Sequence, residues 1–154
     1  MVKAIPEGMH SVTAQLTVNG ATEAIEFYKR AFGAVELDRA PDPSGTKIWH
    51  AMLKIGDSVI FVNDSFPEMG GGAPNETRLW LYTAGVDAAF ARAVAAGATM
   101  RFPLMDMFWG DRMGGVVDPW GNHWTLAERT RDLSPAEMER GQAEAVAAMK
   151  KPTP

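Results

Sequence analysis

Residues 24–33 read Ala-Ile-Glu-Phe-Tyr-Lys-Arg-Ala-Phe-Gly, and residues 88–97 read Ala-Ala-Phe-Ala-Arg-Ala-Val-Ala-Ala-Gly. In the first stretch Ala24, Ile25, Phe27, Tyr28, Ala31 and Phe32 recur at helical spacing. Gly33 stands where a helix end wants a left-handed residue. An overlay of the two halves at an offset of 64 brings Ala24, Ala31, Gly33 and Ala34 onto Ala88, Ala95, Gly97 and Ala98, and Glu23 onto Asp87. Matches between small residues carry little weight alone, because Ala-rich helices coincide easily. The order of elements around them carries more.

Ahead of the first helix, Val12, Ala14, Leu16 and Val18 alternate with Thr13, Gln15 and Thr17, so His10–Val18 reads as a strand that Asn19-Gly20 ends. After it, Val35–Arg39 is a short strand, residues 40–45 are turn chemistry, and Lys47–Ile55 with Ser58–Asn63 make a hairpin about Gly56-Asp57. The same order then recurs. Arg78–Thr83 is a strand, Val86–Ala96 a helix, and Thr99–Phe102 a short strand followed by a loop to Gly110. Gly114–Val117 and His123–Ala127 form a second hairpin about Asp118-Pro119-Trp120-Gly121-Asn122, with Pro and Gly where a tight turn wants them. Two βαβββ modules follow from this, about 10–66 and 77–130, joined by a glycine-rich linker at 67–76. Neither half covers its own sheet well, so the two are expected to pair in one α+β domain over 8–130. Ser134-Pro135-Ala136-Glu137 combines a capping box with Pro at the first helical position and opens a separate C-terminal helix within 134–150.

Composition removes several function classes. The chain has 154 residues, a net charge of −4 and no cysteine, which excludes disulfides, thiolate metal sites and Cys nucleophiles. Lys and Arg are scattered through an acidic chain, which argues against nucleic-acid binding. The longest run free of Asp, Glu, Lys and Arg, Gly8–Thr22, is polar and too short to span a bilayer. The N-terminal residues show no apolar signal region, so the expectation is a cytoplasmic protein.

The 24–33 helix, the 118–122 turn and the paired repeat together resemble the vicinal oxygen chelate superfamily of glyoxalase I, extradiol dioxygenases and bleomycin- and fosfomycin-resistance proteins. Trp-His-Ala-Met-Leu-Lys-Ile-Gly-Asp-Ser (49–58), Phe-Trp-Gly-Asp-Arg (108–112) and Asp-Leu-Ser-Pro-Ala-Glu-Met (132–138) are similar to its PhnB-like branch. The resemblance implies an eight-stranded incomplete barrel around a cavity, within a homodimer. It also implies where a divalent metal is held in family enzymes. Here those places carry Thr13, Phe61, Arg78 and Thr125, and a slip of one residue offers Ala14, Ile60, Thr77 or Trp124. None is His, Asp or Glu, and an Arg cation repels a dication. No metal or other cofactor is therefore expected at these places.

The remaining polar groups define a candidate pocket. Arg78, Trp80 and Tyr82 share one face, opposite Thr13, Gln15 and Phe61 in the implied barrel. Aromatics, one Arg and neutral hydrogen-bonders suit a flat or amphipathic organic anion. Arg78 can equally cap a sheet edge and Trp80 fill core. His50, sharing a face with Ile48 and Met52, can serve as a general base or ligand contact, or as a structurally bonded imidazole. Trp109-Gly110-Asp111-Arg112 suits a loop over a ligand or a loop pinned by an Asp–Arg pair. His123 and Thr125 alternate on the last strand, and Met100, Met105, Met107 and Met113 cluster around the Trp109 loop. The leading expectation is metal-free binding of a small organic molecule by Thr13, Gln15, Phe61, Arg78, Trp80, Trp109, Thr125 and His50. A lyase or isomerase with His50 and Asp111 as acid/base pair is the alternative. A metal enzyme with ligands such as His10, His50 and His123 stands behind both.

Overall fold

The computed structural model describes residues 2–70, 72–74 and 76–150; Gly71 and Asn75 of the expected linker lie outside them. The first module runs β1 (Ala14–Val18), α1 (Ala21–Phe32), β2 (Val35–Pro41), β3 (Ile48–Ile55) and β4 (Ser58–Asp64). After a 3₁₀ turn at Pro67–Met69, the second runs β5 (Arg78–Tyr82), α2 (Val86–Ala96), β6 (Thr99–Asp106), β7 (Asp111–Val117) and β8 (His123–Arg129). The tail helix α3 is Pro135–Met149. Each module folds into a four-stranded sheet, ordered β1-β4-β3-β2 and β5-β8-β7-β6, with a parallel pair at the inner edge and antiparallel hairpins beyond it.

All three helices lie where periodicity and caps place them, and α3 carries the full capping box between Ser134 and Glu137. Three strand limits differ by three residues or more, and the others by one or two. β1 starts at Ala14 rather than His10, because Ala14 already pairs with Ile60 and β4 has only Ser58 and Val59 before that partner. β6 continues to Asp106 through Pro103, where a loop is expected. It is an outer strand, and its register shifts between Phe102 and Met105, so proline's missing N–H costs no ladder bond. β7 begins at Asp111, since Met107 N–H donates to Asp111 O at 2.7 Å and closes a tight β6–β7 turn.

The repeat is also one residue out of step with the sequence overlay. The buried residues Ala21, Ala24 and Tyr28 of α1 correspond to Val86, Ala89 and Ala93 of α2, an offset of 65. Ala95, overlaid on buried Ala31, faces solvent. α1 has 12 residues and α2 has 11, so the offset returns to 64 at the capping glycines Gly33 and Gly97. The start of each helix is held by a carboxylate from the end of its own sheet. Asp64 Oδ1 accepts from Gly20 N–H at 2.8 Å and Ala21 N–H at 3.0 Å, and Glu128 Oε2 accepts from Val86 N–H at 3.0 Å. Negative charge at a helix N-terminus satisfies orphan donors and opposes the helix dipole.

α1 and α2 pack against each other, and the modules are further joined by an aromatic cluster. Trp124 of β8 lies 4.4 Å from the Phe32 ring and 5.5 Å from the Tyr28 ring, and Trp120 lies 5.7 Å from Phe27. At its centre Asp118, buried in the β7–β8 turn, accepts from Tyr28 Oη at 2.7 Å and Trp124 Nε1 at 3.0 Å. Burial, then the Asp118 charge and hydrogen bond, push the Tyr28 phenol far above its usual range. Tyr28→Phe removes a hydrogen bond to a buried charge that spans the modules. It is expected to cost about 1.5–3 kcal/mol, read as a lowered urea midpoint with unchanged m-value.

Candidate functional site

β1 and β5 are the inner edges of their sheets, and no Cα of one lies within 8 Å of a Cα of the other. Hydrogen-bonded strands sit about 4.7–4.9 Å apart. In the single chain the sheets therefore do not join into one wall. Between these edges runs a cleft of about 590 Å³, lined among others by His10, Thr13, Ser58, Trp80, Tyr82 and Trp124. That size is typical of a small-molecule pocket. The residues ahead of β1, read from sequence as strand, instead form one rim of the cleft.

Each sheet turns one face to its helix and leaves the other open. On the first sheet the open face carries Gln15, Thr17, His50, Met52, Phe61 and Asn63. Gln15 Nε2 donates to Asn63 Oδ1 at 2.8 Å, and the His50 and Phe61 rings meet edge to face at 4.6 Å. His50 and Phe61 thus meet on this face. Ile48 is not with them: a register shift between Ala40 and Pro41 buries Ile48 and turns Trp49 outward. Asn63, which ties Gln15 and Thr17 together, went unnoticed in the sequence because it closes a strand, where amides are common.

On the second sheet the open face pairs Arg78 with His123 and Trp80 with Thr125. Trp80 and Tyr82 are 48% and 57% exposed, with ring centroids 6.1 Å apart. Phe102 belongs to this wall too. Its ring covers Gly115, where an added Cβ would lie 2.2 Å from it, so glycine is required for the ring to rest on the sheet. A glycine pair inside a strand was the available signal for that close approach. Arg78 is not a free cation: its Nη2 lies 3.1 Å from Glu76 Oε1, which also lies 3.0 Å from His123 Nε2.

The Trp109 loop is organised by Asp111, whose side chain is 1% exposed. It accepts from Arg129 Nε at 2.5 Å, Tyr82 Oη at 2.8 Å and Trp109 Nε1 at 3.0 Å. The pinning pair therefore uses Arg129. The neighbouring Arg112 instead forks onto Asp87 at 2.7 and 2.9 Å. Burial pushes the Asp111 carboxyl upward, but the hydrogen bonds from Arg129, Tyr82 and Trp109 outweigh it and hold the group below its usual range. His50 and Asp111 lie in different sheets, with no hydrogen bond between them among the described residues. Asp111 holds the Trp109 loop and the hydroxyl end of Tyr82.

A model of the Glyoxalase/Bleomycin resistance protein/Dioxygenase superfamily matches residues 8–126. The chain belongs to this superfamily. Mb0911c, an uncharacterized protein of Mycobacterium bovis, is 40% identical over 137 residues, covering 84% of this chain and 90% of that protein. TioX from Micromonospora sp. ML1 is similar in structure, with a TM-score of 0.66 and 28% identity over 78% of this chain and 98% of that one. A PhnB protein from Bacillus cereus, at 20% identity and a TM-score of 0.57 over 77% of this chain and 99% of that one, shares the fold.

The places to which the sequence resemblance assigns the divalent metal of family enzymes carry Thr13, Phe61, Arg78 and Thr125. These side chains do not fit one. A phenyl ring and a guanidinium offer no lone pair, and two hydroxyls are a poor donor set for a transition-metal dication. Among the described residues no group of three or more His, Asp or Glu is placed to hold a metal ion, and His10, His50 and His123 do not converge. Nor is any described helix long and apolar enough to cross a membrane.

Because the folded Asp111 titrates below an ordinary carboxylate, its stabilisation is full at neutral pH and is lost as pH falls through the folded value. Asp111→Asn is expected to cost about 2–4 kcal/mol at pH 7. The gap to the parent should close below about pH 4, as measured by denaturation across pH.

Proposed function

We propose that this chain is a PhnB-like member of the superfamily that binds a small organic molecule without a metal, as a homodimer in the cytoplasm. The observation that carries the reading is the wall of the cleft. Trp80 and Tyr82 stand half-exposed beside it with the Thr13 hydroxyl, while Phe61, Arg78 and Thr125 lie on the adjoining sheet faces. Stacking surfaces with a few fixed hydrogen-bonders suit a flat or amphipathic ligand, held by Gln15, Thr125 and His50 on the flanking faces.

Dimerisation is supported by the open faces. On the second sheet's open face Trp80, Tyr82 and Met105 are each more than 40% exposed, and adjoining exposed apolar side chains mark a contact surface. A second copy laid across either face would complete a barrel wall and deepen the cleft.

Elemental analysis after purification without chelator, with thermal shift against Mn²⁺, Ni²⁺ and Zn²⁺, tests the metal-free reading. The expected result is no stoichiometric metal and no shift. A concentration-dependent rise in Tm with near-stoichiometric metal would overturn it. A thermal-shift screen of flat organic acids should give saturable stabilisation in the parent that is weakened in Trp80→Ala, and light scattering should report twice the chain mass.

A further inference from the structure

Glu76 precedes β5 and reaches back across it. One of its carboxylate oxygens accepts from Arg78 Nη2 at 3.1 Å and lies 3.0 Å from His123 Nε2, so a single carboxylate sits against a guanidinium and an imidazole from two adjacent strands. We propose that Glu76 fills, from within the chain, a carboxylate-binding site made by Arg78 and His123, and that the bound molecule is a flat ring carrying a carboxylate. This rests on the small-molecule reading above and names the ligand class for that face.

Three observations support it. His123 is the enclosed member, with a side chain 20% exposed, while Glu76 and Arg78 are 52% and 66% exposed. Exposed ion pairs contribute little to stability, so an external carboxylate competes with Glu76 on nearly equal terms. The His123 Nδ1 atom is buried with no partner, which leaves the Glu76 contact as the polar contact of this ring among the described residues. A carboxylate is the group now placed against its Nε2.

The strand geometry fixes what lies beside the site. Arg78 pairs with His123 and Trp80 with Thr125, so the next position along the same face is an exposed indole beside a hydroxyl. Two residues along a strand span roughly 6.7 Å. A ring lying on Trp80 thus places its carboxyl substituent beside the Arg78–His123 pair. The Phe102 ring over Gly115 closes the far side of the same row.

The test uses 3-phenylpropanoate and its neutral analogue 3-phenylpropanamide, titrated by calorimetry into the full chain and into Glu76→Ala, Arg78→Gln and His123→Gln. Removing the internal carboxylate should tighten 3-phenylpropanoate tenfold or more and leave the amide unchanged. Arg78→Gln and His123→Gln should erase the preference for the acid. In nitrogen-detected NMR of the parent, adding the acid should move the His123 Nε2 resonance, and adding the amide should not. An acid affinity that stays the same or falls in Glu76→Ala, at unaltered Tm, overturns the proposal. Equal binding of acid and amide in every variant overturns it as well, while leaving the small-molecule reading intact. Binding of neither compound to any variant, with other flat molecules still stabilising the chain, overturns the ligand class alone.

Discussion

Asp118 buries a negative charge at the junction of the two modules, and the packing around the cleft is arranged to satisfy it. Its Oδ2 takes Tyr28 Oη from α1, Trp124 Nε1 from β8 and Asn122 Nδ2 from its own turn, and its Oδ1 takes the backbone N–H groups of Trp120 and Asn122. A buried charge left without partners costs several kcal/mol, so these groups stand or fall together. Because the donors come from both halves, this one carboxylate sets how α1 approaches β8. It also sets where Trp124 lies at the floor of the cleft.

Asp64 and Glu128 apply the same principle at each helix start, where a carboxylate from the sheet end meets N–H groups that the helix cannot satisfy itself. In both modules an acidic side chain at a turn or strand end is buried only because backbone and side-chain donors converge on it. Asp111 repeats the pattern at the mouth of the site, joining the Trp109 loop, Tyr82 and Arg129. These carboxylates are framework. The cleft itself is lined by aromatic, hydroxyl and imidazole groups and by one exposed carboxylate, that of Asp57.

Openness is the second property of the fold. With β1 and β5 too far apart to share hydrogen bonds, the chain presents two half-walls and a cleft between them. Superfamily membership sets this architecture, and the chemistry belongs to the side chains placed on it.

The helices and their glycine caps, the repeated order of elements and the face shared by Arg78, Trp80 and Tyr82 were legible in the sequence, because each follows from local periodicity and backbone preference. Which residues pair across the fold was not legible. Asp111 takes Arg129 rather than its neighbour Arg112, Arg78 shares Glu76 with His123, and Phe102 rests on Gly115. Strand limits at β1, β6 and β7 depended on which partners remained available, and the repeat's one-residue slip depended on helix length. Local propensity acts within a few residues of the chain, whereas register, ion pairing and the width of the cleft are set by contacts between residues far apart in sequence, and these exist only once the sheets and helices have packed.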